Sequence, residues 1–329
     1  MKDLIKKLSE AFGPSGNEDE VRNIIKKEVK PYADSVKVDK LGNLIVRKKG
    51  KGKKIMFAAH MDEIGFIVSY IDKKGFLRFS NVGGLFPINL LHQRVMFKNG
   101  LVGVVGEEKR KDFKAVSPLD KLYIDIGAKS KEDAEKKVSV GEMAVFSREF
   151  RDLGDRVVGK AMDDRIGCVV LIEALKRIKN PVNDLYFVFT VQEEVGLRGA
   201  RTSAFGIEPD YAIAVDVTGT GDTPEGWKSP LALGKGVAIK VKDWGMIASA
   251  YVRDRLVSIA KKKKIPYQLE VIEGGTTDGM VIEITKSGVP TGVLSVPTRY
   301  IHSPSELLDL GDVEATVKLL VEFSKEKFN

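Results

Sequence analysis

Three histidines, His60, His92 and His302, stand in 329 residues, and two of them lie in polar clusters that close apolar, strand-like runs. His60 follows Ile55-Met56-Phe57-Ala58-Ala59 and opens His60-Met61-Asp62-Glu63-Ile64-Gly65. In an extended stretch, residues two apart face the same way, so Asp62 can accept a hydrogen bond from the His60 ring. A carboxylate behind an imidazole is the usual support of a metal ligand. A surface histidine beside acids is the ordinary alternative. Gly159-Lys160-Ala161-Met162-Asp163-Asp164-Arg165-Ile166-Gly167 opens a helix after a strand. Asp163 or Asp164 reads there either as a helix cap or as a carboxylate bridging two cations, with Asp164 and Arg165 as a supporting pair.

Val191-Gln192-Glu193-Glu194-Val195-Gly196 places two acids directly after a very apolar strand. Two carboxylates at a sheet's end cost desolvation and mutual repulsion unless a cation compensates. Adjacent residues point to different sides, so one can hold a metal while the other meets a water. Ala212-Ile213-Ala214-Val215-Asp216 repeats the pattern, and Val293–Val296 leads on to the second histidine in Arg299-Tyr300-Ile301-His302-Ser303. The Glu193-Glu194 pair, the stronger signal, has a solvated loop as its plain alternative, and the Asp216 and His302 ends read equally as solvated strand ends. Together His60, Asp163, Glu193, Glu194, Asp216 and His302 form a nitrogen and oxygen donor set without thiolate. That chemistry suits Zn²⁺, Co²⁺ or Mn²⁺, and the count suits two ions. His92 reads as structural.

The elements that must bring these residues together follow from hydrophobic periodicity. Residues 4–12 and 18–31 read as amphipathic helices around the turn Gly13–Asn17, with Asn17 as N-cap. Val36–Val38 and Asn43–Arg47 alternate about Leu41-Gly42 as a hairpin. The basic run Arg47–Lys54 reads as a second hairpin turn. From about 66 to 155 come short alternating segments, with only Ser130–Lys137 helical, which predicts a small inserted β-barrel-like unit. The α/β rhythm then returns. Helices are expected at Arg165–Ile178, Gly199–Phe205, Met246–Lys263, Thr277–Lys286 and Val313–Lys325. Strands are expected at Leu185–Val191, Tyr211–Val217, Val237–Val241 and Thr291–Val296. This alternation predicts an α/β, doubly wound, mainly parallel mixed sheet with helices on both faces. The domain expectation is a catalytic domain of residues 1–65 and 156–329, interrupted by the β unit at 66–155.

Composition narrows the function. Hydrophobic residues make up 43% and charged residues 30%, an ordinary globular balance. No apolar run approaches the ~20 residues of a membrane helix, and the opening residues lack the apolar core of a signal peptide. Net charge is +8, yet the basic residues are interleaved with acids, which argues against nucleic acid. The single cysteine, Cys168, excludes an intrachain disulfide and suits a reducing, cytoplasmic setting. Three glutamines beside abundant Lys and Glu form a bias met in hyperthermophile proteins.

The order His60-x-Asp62, Asp163-Asp164, Glu193-Glu194, Asp216, His302 resembles the co-catalytic dinuclear metallopeptidases. The motifs quoted above, taken whole, are similar to those of the tetrahedral (TET) aminopeptidases, also called glutamyl or deblocking aminopeptidases and sometimes endoglucanase or cellulase M. The resemblance covers essentially the whole chain. It implies that His60 and Asp216 hold one divalent ion, that Glu194 and His302 hold the other, and that Asp163 bridges them. Zinc or cobalt is implied, with manganese the third candidate. Glu193 would be the general base and Asp62 would orient His60. Gly274–Gly279 would line the substrate cleft at a helix N-terminus, with Ala232–Trp244 and Gly219–Lys228 as further walls. The β unit would build a homo-oligomer, a dodecamer in the family, that trims short peptides. Three other readings stand beside this one: a deacylase on small N-acyl substrates with the same metal centre, a metal-free glycoside hydrolase, which leaves the histidines idle, and a non-catalytic assembly protein with a structural metal, which leaves Glu193 idle.

Overall fold

The computed structural model describes residues 1–109, 115–226 and 228–328. Strands β1 (Ser35–Val38), β2 (Leu44–Lys48) and β3 (Lys54–His60) precede a second unit made of β4 (Gly65–Ile71), β5 (Leu77–Val82), β6 (Arg94–Phe97), β7 (Val102–Glu107), β8 (Leu122–Asp125) and β9 (Met143–Phe146). After it come β10 (Arg151–Asp152), β11 (Arg156–Gly159), β12 (Asp184–Thr190), β13 (Tyr211–Gly219), β14 (Val237–Lys242), β15 (Tyr267–Val271), β16 (Thr291–Arg299) and β17 (Glu306–Asp309). The helices are α1 (Lys2–Glu10), α2 (Asp19–Val29), α3 (Lys131–Glu135), α4 (Met162–Arg177), α5 (Arg198–Ile207), α6 (Ala250–Lys263), α7 (Gly279–Glu283) and α8 (Leu310–Phe323).

Among the described residues, eleven strands form one mixed sheet in the order β1-β2-β12-β3-β13-β16-β17-β11-β10, with β14 on β16 and β15 on β14. Its centre, β12-β3-β13-β16, is parallel throughout. Parallel strands buried on both faces read as near-continuous apolar runs, as Ile55–Ala59 does and as Leu185–Phe189 does apart from the half-buried Tyr186. Their side chains alternate between two cores. Ile55, Phe57, Phe187 and Ile213 face α1, α2, α4, α6 and α8, whereas Met56, Ala58, Val188 and Ala212 face α5 and α7. Strands β4 to β9 close into a separate barrel with its own core. Phe66 stands edge-on to Phe79 and Phe146 there, at ring centroid distances of 5.1 and 5.4 Å.

Four local expectations give way to tertiary structure. The run Arg47–Lys54 is no hairpin turn, because β12 enters between β2 and β3 and pairs with both. Asn17 does not cap α2, and Glu18 precedes the helix without a side-chain cap bond. The Glu18 carboxylate instead accepts the N–H groups of Gly16 and Gln192. Helix α6 starts at Ala250 rather than Met246, since the Asp243 carboxylate accepts the Gly245 and Met246 N–H groups and shapes a turn. Helix α7 ends at Glu283, beyond which Lys286 and Gly288 turn left-handed (φ 53° and 101°).

Candidate metal centre

Ligands in open α/β sheets bind outside the carboxyl ends of the parallel strands, and the titratable cluster lies there. His60 ends β3, Glu193 and Glu194 follow β12, Asp216 lies in the carboxyl half of β13, and His302 follows β16. Asp163 enters from the first turn of α4, where Asp163 and Asp164 leave helical geometry. The six side chains predicted from sequence therefore converge.

His60 is buried, with Nε2 3.1 Å from Asp163 Oδ1 and 3.9 Å from Glu193 Oε2. His302 Nε2 lies 3.2 Å from both Asp163 Oδ2 and Glu194 Oε1. Two overlapping groups have donor atoms within 4.8 Å of one another: His60 with Glu193 and Asp216, and His60 with Asp163 and Glu194. Glu193 thus belongs geometrically to a donor group as well as to the cleft.

Four carboxylates face two imidazoles, with His60, Asp163 and Asp216 buried. Burial and the charge of Asp163 push Asp216 up to about 8. Burial, joined by Asp216, Asp278 and Glu194, holds Glu193 well above the usual carboxylate range. Burial alone would lower His302, but Asp163 and Glu194 draw its imidazole up to about 12. Lys240 also lines the cleft, yet Asp243 and Glu270 occupy its ammonium at 3.1 and 3.2 Å. Excess buried negative charge, made of oxygen and imidazole nitrogen, is the chemistry that divalent cations neutralise. Cys168 stays outside the donor set, its Sγ turned to the His60 carbonyl oxygen at 3.1 Å. The residues present fit a pair of such ions.

A network of buried carboxylates holds these side chains through their backbones. Asp62 Oδ1 and Oδ2 accept the N–H groups of Glu193 and Glu194 at 3.0 and 3.1 Å. Ser15 donates to Asp62 at 2.6 Å. The His60 Nδ1 atom lies 3.1 Å from the Asp62 carbonyl oxygen but 3.6 Å from its carboxylate. Asp62 therefore acts on the Glu193–Glu194 turn more directly than on the ring it was expected to orient. Asp164 Oδ2 accepts the His60 N–H. Arg165, expected beside Asp164, pairs instead with Glu63 at 3.2 Å.

Sequence reasoning missed the barrel's reach into this site. Gly83 and Gly84, just after β5, lie against Glu194 and His302, and a Cβ on Gly84 would sit 2.5 Å from His302 Nδ1. Asn89 donates to the His302 carbonyl oxygen at 3.3 Å. The Val82-Gly83-Gly84 step was the available signal, since paired glycines in a strand-end loop mark close backbone approach. Asp278, inside the expected Gly274–Gly279 wall but given no role of its own, is buried and accepts the Thr190 hydroxyl at 2.6 Å.

The cluster floors a cleft of about 640 Å³ with Leu197, Met280, Val281 and Ile301 in its walls. Gly275–Thr277 line it as expected, though α7 beyond them spans only five residues. Of the other expected walls, Lys240, Trp244 and Gly219 take part, and Trp227 lies outside the described residues.

Known proteins carry the same architecture. A protein of Acetivibrio thermocellus named as an aminopeptidase is 55% identical over 98% of both chains. The solved aminopeptidase of the archaeon Desulfurococcus kamchatkensis superposes with a TM-score of 0.95 at 46% identity, covering 98% of this chain and 94% of that one. A TET peptidase of Pyrococcus horikoshii, described as assembling into a tetrahedron or a large octahedral shell, gives 0.91 at 38% identity over 99% of each. The model of the M42 glutamyl aminopeptidases matches residues 42–319, from the strand before the His60 cluster to the closing helix, and the chain belongs to that family.

Proposed function

We propose that the chain releases N-terminal amino acids from short peptides, with two divalent cations held by His60, Asp163, Glu194, Asp216 and His302. The observation that carries this reading is the pair of overlapping donor groups, each within 4.8 Å, on the floor of an open cleft, with His302 Nε2 3.2 Å from Asp163 and Glu194 of the second group. When bound, such cations supply Lewis acidity toward a peptide carbonyl and toward water. The rest falls to this chain. Glu193 takes the proton of the attacking water and passes it to the leaving amine. Asp62 fixes the Glu193–Glu194 turn, so that base and ligand keep their separation. A free, neutral α-amino group is a nitrogen donor that such a cation would accept, which favours substrates with an unblocked N-terminus, and the apolar wall receives the side chain.

A panel of aminoacyl-nitroanilides and their N-acetylated counterparts tests the reading. Stripping with a chelator should abolish hydrolysis, and Zn²⁺, Co²⁺ or Mn²⁺ should restore it on the unblocked series. Preference for the blocked series would make the chain a deacylase. Cleavage of a β-glucan that survives the chelator would make it a glycosidase.

His60→Ala and His302→Ala should each lower bound metal and activity, because each deletes a donor and leaves neighbouring acids less well neutralised. Elemental analysis is the measurement, and full occupancy in either variant would contradict the assignment. His92→Ala should change neither quantity, since His92 sits on the barrel with its N–H bonded to Val105.

The inserted unit at 66–155 would build the assembly, a homododecamer. It exposes Phe86 (53%) and Ile88 (73%), apolar surface that a free monomer leaves wet. Light scattering on metal-loaded protein should give a large closed particle, about twelve times the 36.3 kDa chain. A monomer at every concentration would end this proposal.

A further inference from the structure

We propose that Glu306 is a positioning residue for the metal centre: one buried carboxylate ties the backbones of Asp163 and His302 together and so sets the gap between their side chains. The inference rests on the two-cation reading above. Glu306 opens β17 and is 2% exposed. Its Oε2 accepts the Asp163 N–H at 3.0 Å, and its Oε1 accepts the His302 N–H at 2.8 Å. At the far end of the same two residues, Asp163 Oδ2 and His302 Nε2 meet at 3.2 Å. The two residues come from distant parts of the chain, joined at one end by Glu306 and at the other by the space a cation would fill.

The fold explains why Glu306 reaches both. Antiparallel pairing of β11 with β17 sets Glu306 opposite Gly159, just before the segment that carries Asp163. The turn from β16 to β17 carries His302, and it needs left-handed backbone at Tyr300 and His302 (φ 61° and 59°). Non-glycine residues hold that conformation only where their surroundings impose it. The bond from the His302 N–H to Glu306 is such an imposition. Both oxygens are in use, so an amide cannot replace the carboxylate: its NH₂ group would face a backbone N–H.

Full-length protein is stripped, reloaded with Zn²⁺ or Co²⁺, and challenged with a competing chelator while bound metal is counted. Wild type should hold two cations per chain, and a wild type without them overturns the two-cation reading rather than this step. Glu306→Gln places a donor against a donor, and Glu306→Asp keeps two acceptors but falls one methylene short. Both variants should release one cation about 10–100-fold more readily, the range seen when a ligand's supporting bond is lost. Excess metal should then restore kcat with KM unchanged, because no donor atom has been removed. A Glu306 that serves the fold alone would lower the melting temperature of the stripped protein and leave both metal affinities as in wild type. That result, or failure of both variants to fold, overturns the inference.

Discussion

Glu193→Gln is expected to lower kcat by about 10²–10⁴, the usual cost of losing a general base, with KM little changed. Glutamine matches glutamate in shape but cannot take a proton at the pH where the enzyme works. Without bound cations the site holds the Glu193 carboxyl above the usual carboxylate range. Burial raises it first, and Asp216, Asp278 and Glu194 add to that while His60 opposes them. Its backbone is fixed by Asp62 at 3.0 Å, so the substitution leaves the turn in place. Glu194→Gln should behave differently. Glu194 belongs to the second donor group, with Oε1 3.2 Å from His302 Nε2, and weakening it should cost activity that excess Co²⁺ or Zn²⁺ partly returns. Because Glu193 also lies in a donor group with His60 and Asp216, metal content must be read beside rate. Full metal with collapsed kcat marks a base. Depleted metal with rescue marks a ligand and exchanges the two roles.

The cluster of acids and histidines was legible because its residue types are costly where they stand. A carboxylate at the end of a buried strand needs a partner; Asp216 directly follows Ala212–Val215, and Glu193 and Glu194 come shortly after the apolar run Leu185–Phe189. The parallel sheet was legible from the long apolar stretches inside its strands, such as Ile55–Ala59 and Ala212–Val215. The supporting residues were not. Glu306 acts on backbone N–H groups made adjacent by the register of β11 on β17, which no local pattern reports. Asp62 lay in a quoted motif, but its hold on the Glu193 and Glu194 N–H groups depends on β3 running beside β12. The same pairing spoiled the reading of Arg47–Lys54. Two consecutive strands looked like a hairpin, and only the later chain shows that β12 separates them.

Glu63→Gln should destabilise the protein by about 3–5 kcal/mol, the range for breaking a buried ion pair from one side. Glu63 accepts Lys160 Nζ at 2.8 and 2.7 Å and Arg165 Nη2 at 3.2 Å, and all three side chains are at most 3% exposed. The Arg165 guanidinium spends its remaining donors on the carbonyl oxygens of Leu8, Ala11, Gly13 and Met61. Lys160 Nζ also reaches the Ala11 carbonyl oxygen at 3.3 Å. One anion thus balances two cations at the junction of α1, the turn before α2, the end of β3 and the start of α4. Without it, both cations stay buried against carbonyl dipoles, with only the more distant Glu306 carboxylate still acting on Lys160. Total stabilities of only about 5–15 kcal/mol make such a loss severe. The comparison is Glu314→Gln, which removes the half-exposed partner of Arg177 and should cost less than about 1 kcal/mol. Guanidinium chloride unfolding of metal-stripped protein separates the effect from metal binding, which stabilises the native state by mass action. A midpoint shift no larger than that of Glu314→Gln would mean that water or relaxation replaces Glu63 cheaply. Adding Lys160→Met to Glu63→Gln removes one stranded cation with a side chain of similar length, and should recover part of the loss.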